Sequence, residues 1–367
     1  MRFVMRLSNL PLLLFVIGIS FSVYGQEQTF RNFEILDYNT EELWNETISK
    51  RSSSSIQIEI RGIEMELEVS DIISPKYKAI NENGELIGTE FTRPIPYNGY
   101  TKDGSRVALT IGKNFLYGFI ENNKTSLHIE PLRYYTKNAK KDQFILYDAK
   151  DVIDKGPKTC GYTEALHVKT KLENKSASRF AGLCHDVEYA VCNDYSMIFK
   201  YGSAAEAEAH AIGVTNDINT NYDDEFADEL RFIITGQYNS TCSNCDPWTS
   251  STNSSTLLSS FREWASANLA SEPILIPHDV ASLWTNRDFD GSTIGVAYLP
   301  GTCSNNYKYN ILQDFTSTSS LKRVLVAHEI GHNFNAGHDQ SSGYIMSPSV
   351  GNTNTWSTTS ISAIQSY

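Results

Sequence analysis

Between His328 and Asp339 the chain reads His-Glu-Ile-Gly-His-Asn-Phe-Asn-Ala-Gly-His-Asp, and this string constrains the fold more tightly than any other. An α-helix advances 3.6 residues per turn, so His328 and His332 leave the same face one turn apart and can reach a single metal. Glu329 stands beside them. A catalytic zinc takes about three protein ligands and keeps an open position for a water whose pKa it lowers to about 7. His338 can be the third ligand only if the helix stops first, because six more helical residues would carry it roughly 9 Å along the axis. Asn335 falls where that sharp turn must occur, and Asn is, after Gly, the residue that most readily takes positive φ. Structural zinc sites are closed and mostly Cys-rich, whereas three His with an adjacent Glu leave a coordination position open.

The rest of the chain must present that helix. Its 367 residues suffice for two domains, and its 40% hydrophobic content is that of a folding chain. Arg2 and Arg6 precede an apolar stretch, Leu10 to Tyr24, that is too short to span a bilayer and reads as a secretory signal peptide over residues 1–25. A secreted chain without stable membrane insertion is expected, in a compartment where disulfides are possible. From Ile56 the alternation Ile56-Gln57-Ile58-Glu59-Ile60, and then Ile63, Met65, Leu67 and Val69, predicts strands. Turn signals at Asn83-Gly84, Asn98-Gly99 and Asp103-Gly104 separate further strands, at Val107 to Ile111, Leu116 to Ile120 and Ser126 to Glu130. Residues 26 to about 150 thus read as all-β, and 150–180 as an exposed linker. Beyond it strands and helices alternate: Glu188 to Cys192, Ala204 to Tyr222, Leu230 to Tyr238, a helix whose apolar face runs from Leu257 to Leu269, Gly295 to Leu299, and a helix with Leu321, Val324, Leu325 and His328 on one stripe. That order predicts an α/β (α+β) unit with a mixed sheet over 181–367.

Charge divides the chain the same way: 22 Lys and Arg against 23 Asp and Glu in 26–180, but 7 against 20 in 181–367. Either the acidic half carries a solubilising surface, or the near-neutral segment packs over it. The overall charge of −12 has the wrong sign for neutralising phosphates and excludes a nucleic-acid partner. Among the six cysteines, Cys242 and Cys245 are close enough in sequence for a local bridge or half of a metal site; no second Cys-x-x-Cys supports the latter.

Gly343-Tyr344-Ile345-Met346-Ser347-Pro348 follows the His string and, together with it, resembles the Met-turn of the metzincins, with Met346 beneath the zinc site. Within that superfamily the chain resembles the adamalysin or reprolysin branch, the snake-venom and ADAM-type zinc endopeptidases. Phe289 to Tyr298 is similar to the segment that leads into that family's substrate-binding edge strand, Glu188-Tyr189-Ala190-Val191 to its first catalytic strand, and Tyr97 to Leu132 to its propeptide. Asn335 departs from the Gly of most members. Pro157-Lys158-Thr159-Cys160-Gly161 looks like the family's cysteine switch, in which a thiolate fills the open zinc position and keeps a precursor silent. Cys160 could instead be disulfide-bonded. The resemblance implies a precursor inhibited by its own propeptide (26–180), with zinc on His328, His332 and His338, Glu329 as general base, and protein or peptide substrates laid along Gly295, Val296, Ala297, Tyr298 and Leu299. It also implies a structural Ca2+ on Glu188 and Asp279, and a Cys303 without its usual partner. A secreted binding module of the same fold that no longer turns over is the alternative.

Overall fold

The computed structural model describes residues 28–49, 55–153, 155–156, 158–162, 185–226 and 230–367. The leader read at 1–25 and most of the 150–180 linker lie outside them, as does Cys184.

The N-terminal region is built from β1 (Glu34–Asp37), α1 (Thr40–Ser49), β2 (Ser55–Ile60), β3 (Ile63–Val69), β4 (Ile73–Asn81), β5 (Ile95–Thr101), β6 (Arg106–Gly112), β7 (Phe115–Glu121), β8 (Ser126–Pro131) and β9 (Gln143–Asp148). All but β4 form an eight-stranded antiparallel sheet in the order β1-β9-β8-β7-β6-β5-β3-β2. β2 shows the alternation expected of a strand with one wet face. β6 and β7 are buried on both faces, because Leu43 and Trp44 of α1 cover one side with Val107, Leu109 and Leu116, while Phe115 and Tyr117 join a core on the other. The helix α1 within a region read as all-β is a correction to the sequence reading.

The C-terminal region continues from the short β10 (Thr159–Cys160) into β11 (His185–Asn193), α2 (Tyr195–Tyr201), α3 (Ala204–Phe226), β12 (Leu230–Asn239), α4 (Ser254–Asn268), β13 (Val280–Thr285), β14 (Thr293–Ala297), β15 (Tyr309–Gln313), α5 (Ser319–Asn333) and α6 (Thr358–Ser366). Its seven-stranded sheet runs β10-β14-β15-β13-β11-β12-β4, with every pair parallel except β14 and β15. The fold is therefore the mixed α+β arrangement expected, behind a β-rich N-terminal region. α4 begins where the Ser/Thr/Asn run suggested a cap: the Asn253 side chain accepts the Thr256 N–H at 3.0 Å.

The two regions interlock. β4 pairs with β12 at one edge of the second sheet and β10 with β14 at the other, so segments from before residue 163 close both edges. α3 lies between the sheets, so close that a Cβ on Gly213 would stand 2.6 Å from the Tyr117 ring. Arginines of the near-neutral half meet carboxylates of the acidic half: Arg106 with Asp223 at 2.8 Å, Arg133 with Glu206 at 2.7 Å and Arg93 with Glu208 at 3.3 Å, with Arg323 against Glu121 at 3.1 Å in the opposite sense. Of the two readings of the uneven charge, the near-neutral segment does pack over the acidic one. Among the described residues no helix is long and apolar enough to cross a membrane.

Candidate active site

The string from His328 to Asp339 sits on α5 and the turn after it. The stripe through Leu321, Val324, Leu325 and His328 is only part of the buried surface, since every residue of α5 is buried, polar ones included. Lys322 is matched by Asp314 at 2.8 Å, and Arg323 by Glu121. The helix start is capped from the N-terminal region: Thr318 makes no side-chain cap bond, while the buried Glu130 carboxylate accepts the Ser319 N–H at 2.8 Å.

The helix ends as the spacing requires. Asn335 adopts φ 72°; its N–H reaches His332 O at 2.9 Å and that of Ala336 reaches Gly331 O at 2.9 Å. This is a Schellman closure with Asn in the left-handed position. The reversal brings His338 back, so that its Nε2 lies 3.2 Å from His328 Nε2. Ligand atoms of His328, His332, His338 and Cys160 all fall within 4.8 Å of one another.

The same turns orient the rings. His328 Nδ1 donates to Ile345 O at 2.6 Å and His332 Nδ1 to Ala336 O at 2.7 Å. A carbonyl can only accept, so the proton sits on Nδ1 and the Nε2 lone pair is free to ligate. Burial keeps both rings neutral, with His328 driven down to about 3 and His332 well below its ordinary value. Two Nε2 lone pairs facing one point, with a third imidazole and a thiol within 4.8 Å, form a nitrogen- and sulfur-donor set that suits zinc. Met346 is buried beneath; a Cβ on Gly331 would stand 2.6 Å from its sulfur and 3.2 Å from Trp356. That glycine lets the Met-turn approach the helix.

Glu329 is fully buried, and burial raises its carboxyl to about 8. Its Oε1 has no partner, and a Cβ on Gly295 would collide with it, so the edge strand passes directly against the carboxylate.

Cys160 is in no disulfide; its Sγ lies 3.3 Å from His332 Nε2 and 3.6 Å from Glu329 Oε2. The segment carrying it, read as linker, is pinned on both sides instead. Thr159 N–H bonds Ser292 O at 2.9 Å and Gly161 N–H bonds Gly295 O at 2.8 Å on the edge-strand side, while Cys160 N–H bonds Pro348 O at 3.1 Å and Lys158 O accepts the Val350 N–H at 2.9 Å on the other. The edge strand ends at Ala297; Tyr298 and Leu299, read as part of it, lead out of it. Tyr162, which nothing in the sequence singled out, stacks on His332 with ring centroids 5.0 Å apart and meets His338 edge-on at 5.6 Å.

Glu188 and Asp279 meet, but not as a calcium cage. Asp279 Oδ2 accepts the Glu188 N–H at 3.0 Å, and its Oδ1 lies 3.7 Å from the Cys303 Sγ. Its oxygens are thus engaged by protein donors, Lys308 adds positive charge beside it, and the pair is part of no cluster of three mutually close ligand atoms among the described residues. The implied calcium finds no support. Cys303 is free and exposed and Cys192 free and buried, while Cys242 and Cys245 form the local bridge.

Comparison with known proteins agrees with this geometry. Residues 185–362 match the model of a reprolysin family described as metallo-peptidase family M12. The chain is 29% identical over 272 residues to a "Zinc metalloproteinase-disintegrin-like" protein of Cerberus rynchops, covering 69% of this chain and 42% of that one; it thus spans less than half of that relative. It is 32% identical over 155 residues to "Snake venom metalloproteinase Ac1" of Deinagkistrodon acutus, covering 42% of this chain and 73% of that one. By these sequence matches, the chain belongs to the reprolysin-type metallopeptidases of family M12.

Proposed function

We propose that the chain is the latent form of a secreted zinc endopeptidase, with 1–25 as signal peptide, 26–180 as inhibitory propeptide and 181–367 as catalytic domain. One observation supports this reading above all: the point faced by the lone pairs of His328 and His332 and approached by His338 is also faced by a buried base, Glu329, and by the thiol of a strand lying in the peptide groove. Zinc on the three imidazoles supplies a Lewis acid that polarises an amide carbonyl and makes water acidic near neutral pH.

The chain's own groups do the rest. Glu329 takes a proton from the attacking water and delivers it to the leaving amide nitrogen. The edge from Gly295 to Leu299 holds an extended protein or peptide substrate by main-chain pairing, where residues 158–161 now lie. In the precursor the Cys160 Sγ occupies the meeting point and Tyr162 covers the His332 ring, so neither water nor carbonyl reaches Glu329.

Casein hydrolysis by the processed chain, stopped by a zinc chelator, is the expected result. Glu329→Ala should keep one zinc per chain and lose roughly a thousandfold in rate. Casein bound but never cut by the wild-type protein would favour the binding-module reading instead.

A further inference from the structure

We infer that Asn333 is a positioning residue that fixes the substrate-binding edge strand against the metal-binding helix; this rests on the proteolytic reading above. Asn333 is the last residue of α5, directly after His332, and is fully buried. Its Nδ2 donates to Tyr298 O at 2.9 Å and to Tyr309 O at 3.3 Å, and its Oδ1 accepts from Asn310 Nδ2 at 2.9 Å. Its main-chain oxygen accepts the N–H groups of Gly301 and Thr302 at 2.9 and 3.0 Å.

The side-chain amide therefore ties the metal-binding helix to the residue just past β14 and to the first two residues of β15, while the main-chain oxygen of the same residue holds the turn between these strands. The packing leaves no slack: a Cβ on Gly301 would lie 2.9 Å from Asn333 Nδ2. Both amide hydrogens are used on backbone carbonyls, and the one on Tyr309 O joins the Tyr298 N–H, which reaches the same oxygen at 3.4 Å; removing the amide costs two buried hydrogen bonds. β14 carries Gly295, whose carbonyl receives the segment in the groove and whose backbone abuts Glu329. The separation between the peptide groove and the catalytic carboxylate is thus held at Glu329 on one end and at Asn333 on the other.

A strand held this way matters for extended substrates and hardly at all for ones too short to pair with it. The test uses the full chain, cleaved by limited proteolysis within 163–184, as wild type, Asn333→Asp, Asn333→Ala, the milder Asn310→Ala, and Met197→Ala as a buried control in α2. On a peptide of about eight residues, Asn333→Asp and Asn333→Ala should raise KM about tenfold or more with kcat within about threefold. On a blocked dipeptide substrate, kcat/KM should change less than about threefold, with zinc content unchanged. Asn310→Ala should shift the same parameters less, and Met197→Ala should not split them. Equal losses on long and short substrates, or a fall in zinc content, would overturn the inference.

Hydrogen exchange on the uncut chain decides it without reference to activity, so an inactive wild type would refute proteolysis and leave this outcome readable. Asn333→Asp should speed exchange of the Gly161 amide, across the edge strand, about tenfold or more while amides of α3 stay unchanged. Unchanged Gly161 exchange, or loosening throughout the molecule, would contradict the positioning role.

Discussion

Asn335 shows how much one residue's backbone preference decides here. At φ 72° a residue with an unsupported Cβ bears a strain of about 1–2 kcal/mol, which Asn tolerates and Gly escapes. Asn335→Gly should leave thermal stability and zinc affinity close to wild type, whereas Asn335→Val should lower stability by at least about 1 kcal/mol and weaken zinc binding, because the reversal that returns His338 is strained. Equal zinc affinity in the two variants would show that the turn does not hold the third imidazole. The His string was legible for the same reason: helical spacing and one left-handed residue are local properties. Asn333 and Tyr162 were not, because the Asn333 amide bonds residues 23 or more positions away and the Tyr162 ring meets His332 and His338 far along the chain, and a buried amide or a ring beside a cysteine has no pattern of its own.

Elements were legible where periodicity survived burial. β2 and β3 alternate because one face is wet, and both were read almost to the residue. β14 was read two residues too far along, at 295–299 where the strand is Thr293–Ala297, since Tyr298 and Leu299 continue its apolar run and the Tyr298 N–H still reaches Tyr309 O at 3.4 Å. β4 and β10 escaped for a different reason: a strand's sheet is set by its partner, and theirs, β12 and β14, come 134 or more residues later. For β10 the consequence is testable. Cys160→Ala removes the sulfur from the point where the three imidazoles converge while keeping the hydrogen bonds of Thr159 to Gly161; the uncut chain should then cleave peptides or process itself, and a silent variant would mean that steric cover suffices. α2, α3 and α5 meet at another buried cluster. Asp314 is engaged by Lys322 at 2.8 Å and Lys200 at 2.7 Å. Burial raises its carboxyl, but these ammonium groups prevail and hold it well below the ordinary range. A carboxyl lowered by folding stabilises the fold above its unfolded pKa near 4 and loses that contribution as pH falls below it. Asp314→Asn should therefore cost about 3 kcal/mol at pH 7, leaving Lys322 buried without its partner, and the gap to wild type should narrow in thermal unfolding below pH 4. A constant gap would place the effect elsewhere.

At the scale of the whole molecule, the N-terminal region grips the metallopeptidase fold at three places: the far sheet edge through β4, the start of α5 through Glu130, and the groove through β10 and Cys160. The bipartite plan was visible in the change of periodicity and charge after residue 180, but the grip was not, since a boundary in sequence says nothing of strands exchanged across it. The central claim is that three imidazoles hold one zinc and that Cys160 fills its remaining position until the chain is processed. Zinc K-edge absorption on the purified, uncut chain measures this directly. The account predicts one zinc with three nitrogen neighbours at about 2.0–2.1 Å and one sulfur at about 2.3 Å, the sulfur disappearing on processing or in Cys160→Ala. A chain that binds no zinc, or an uncut chain whose zinc has no sulfur neighbour, would contradict it.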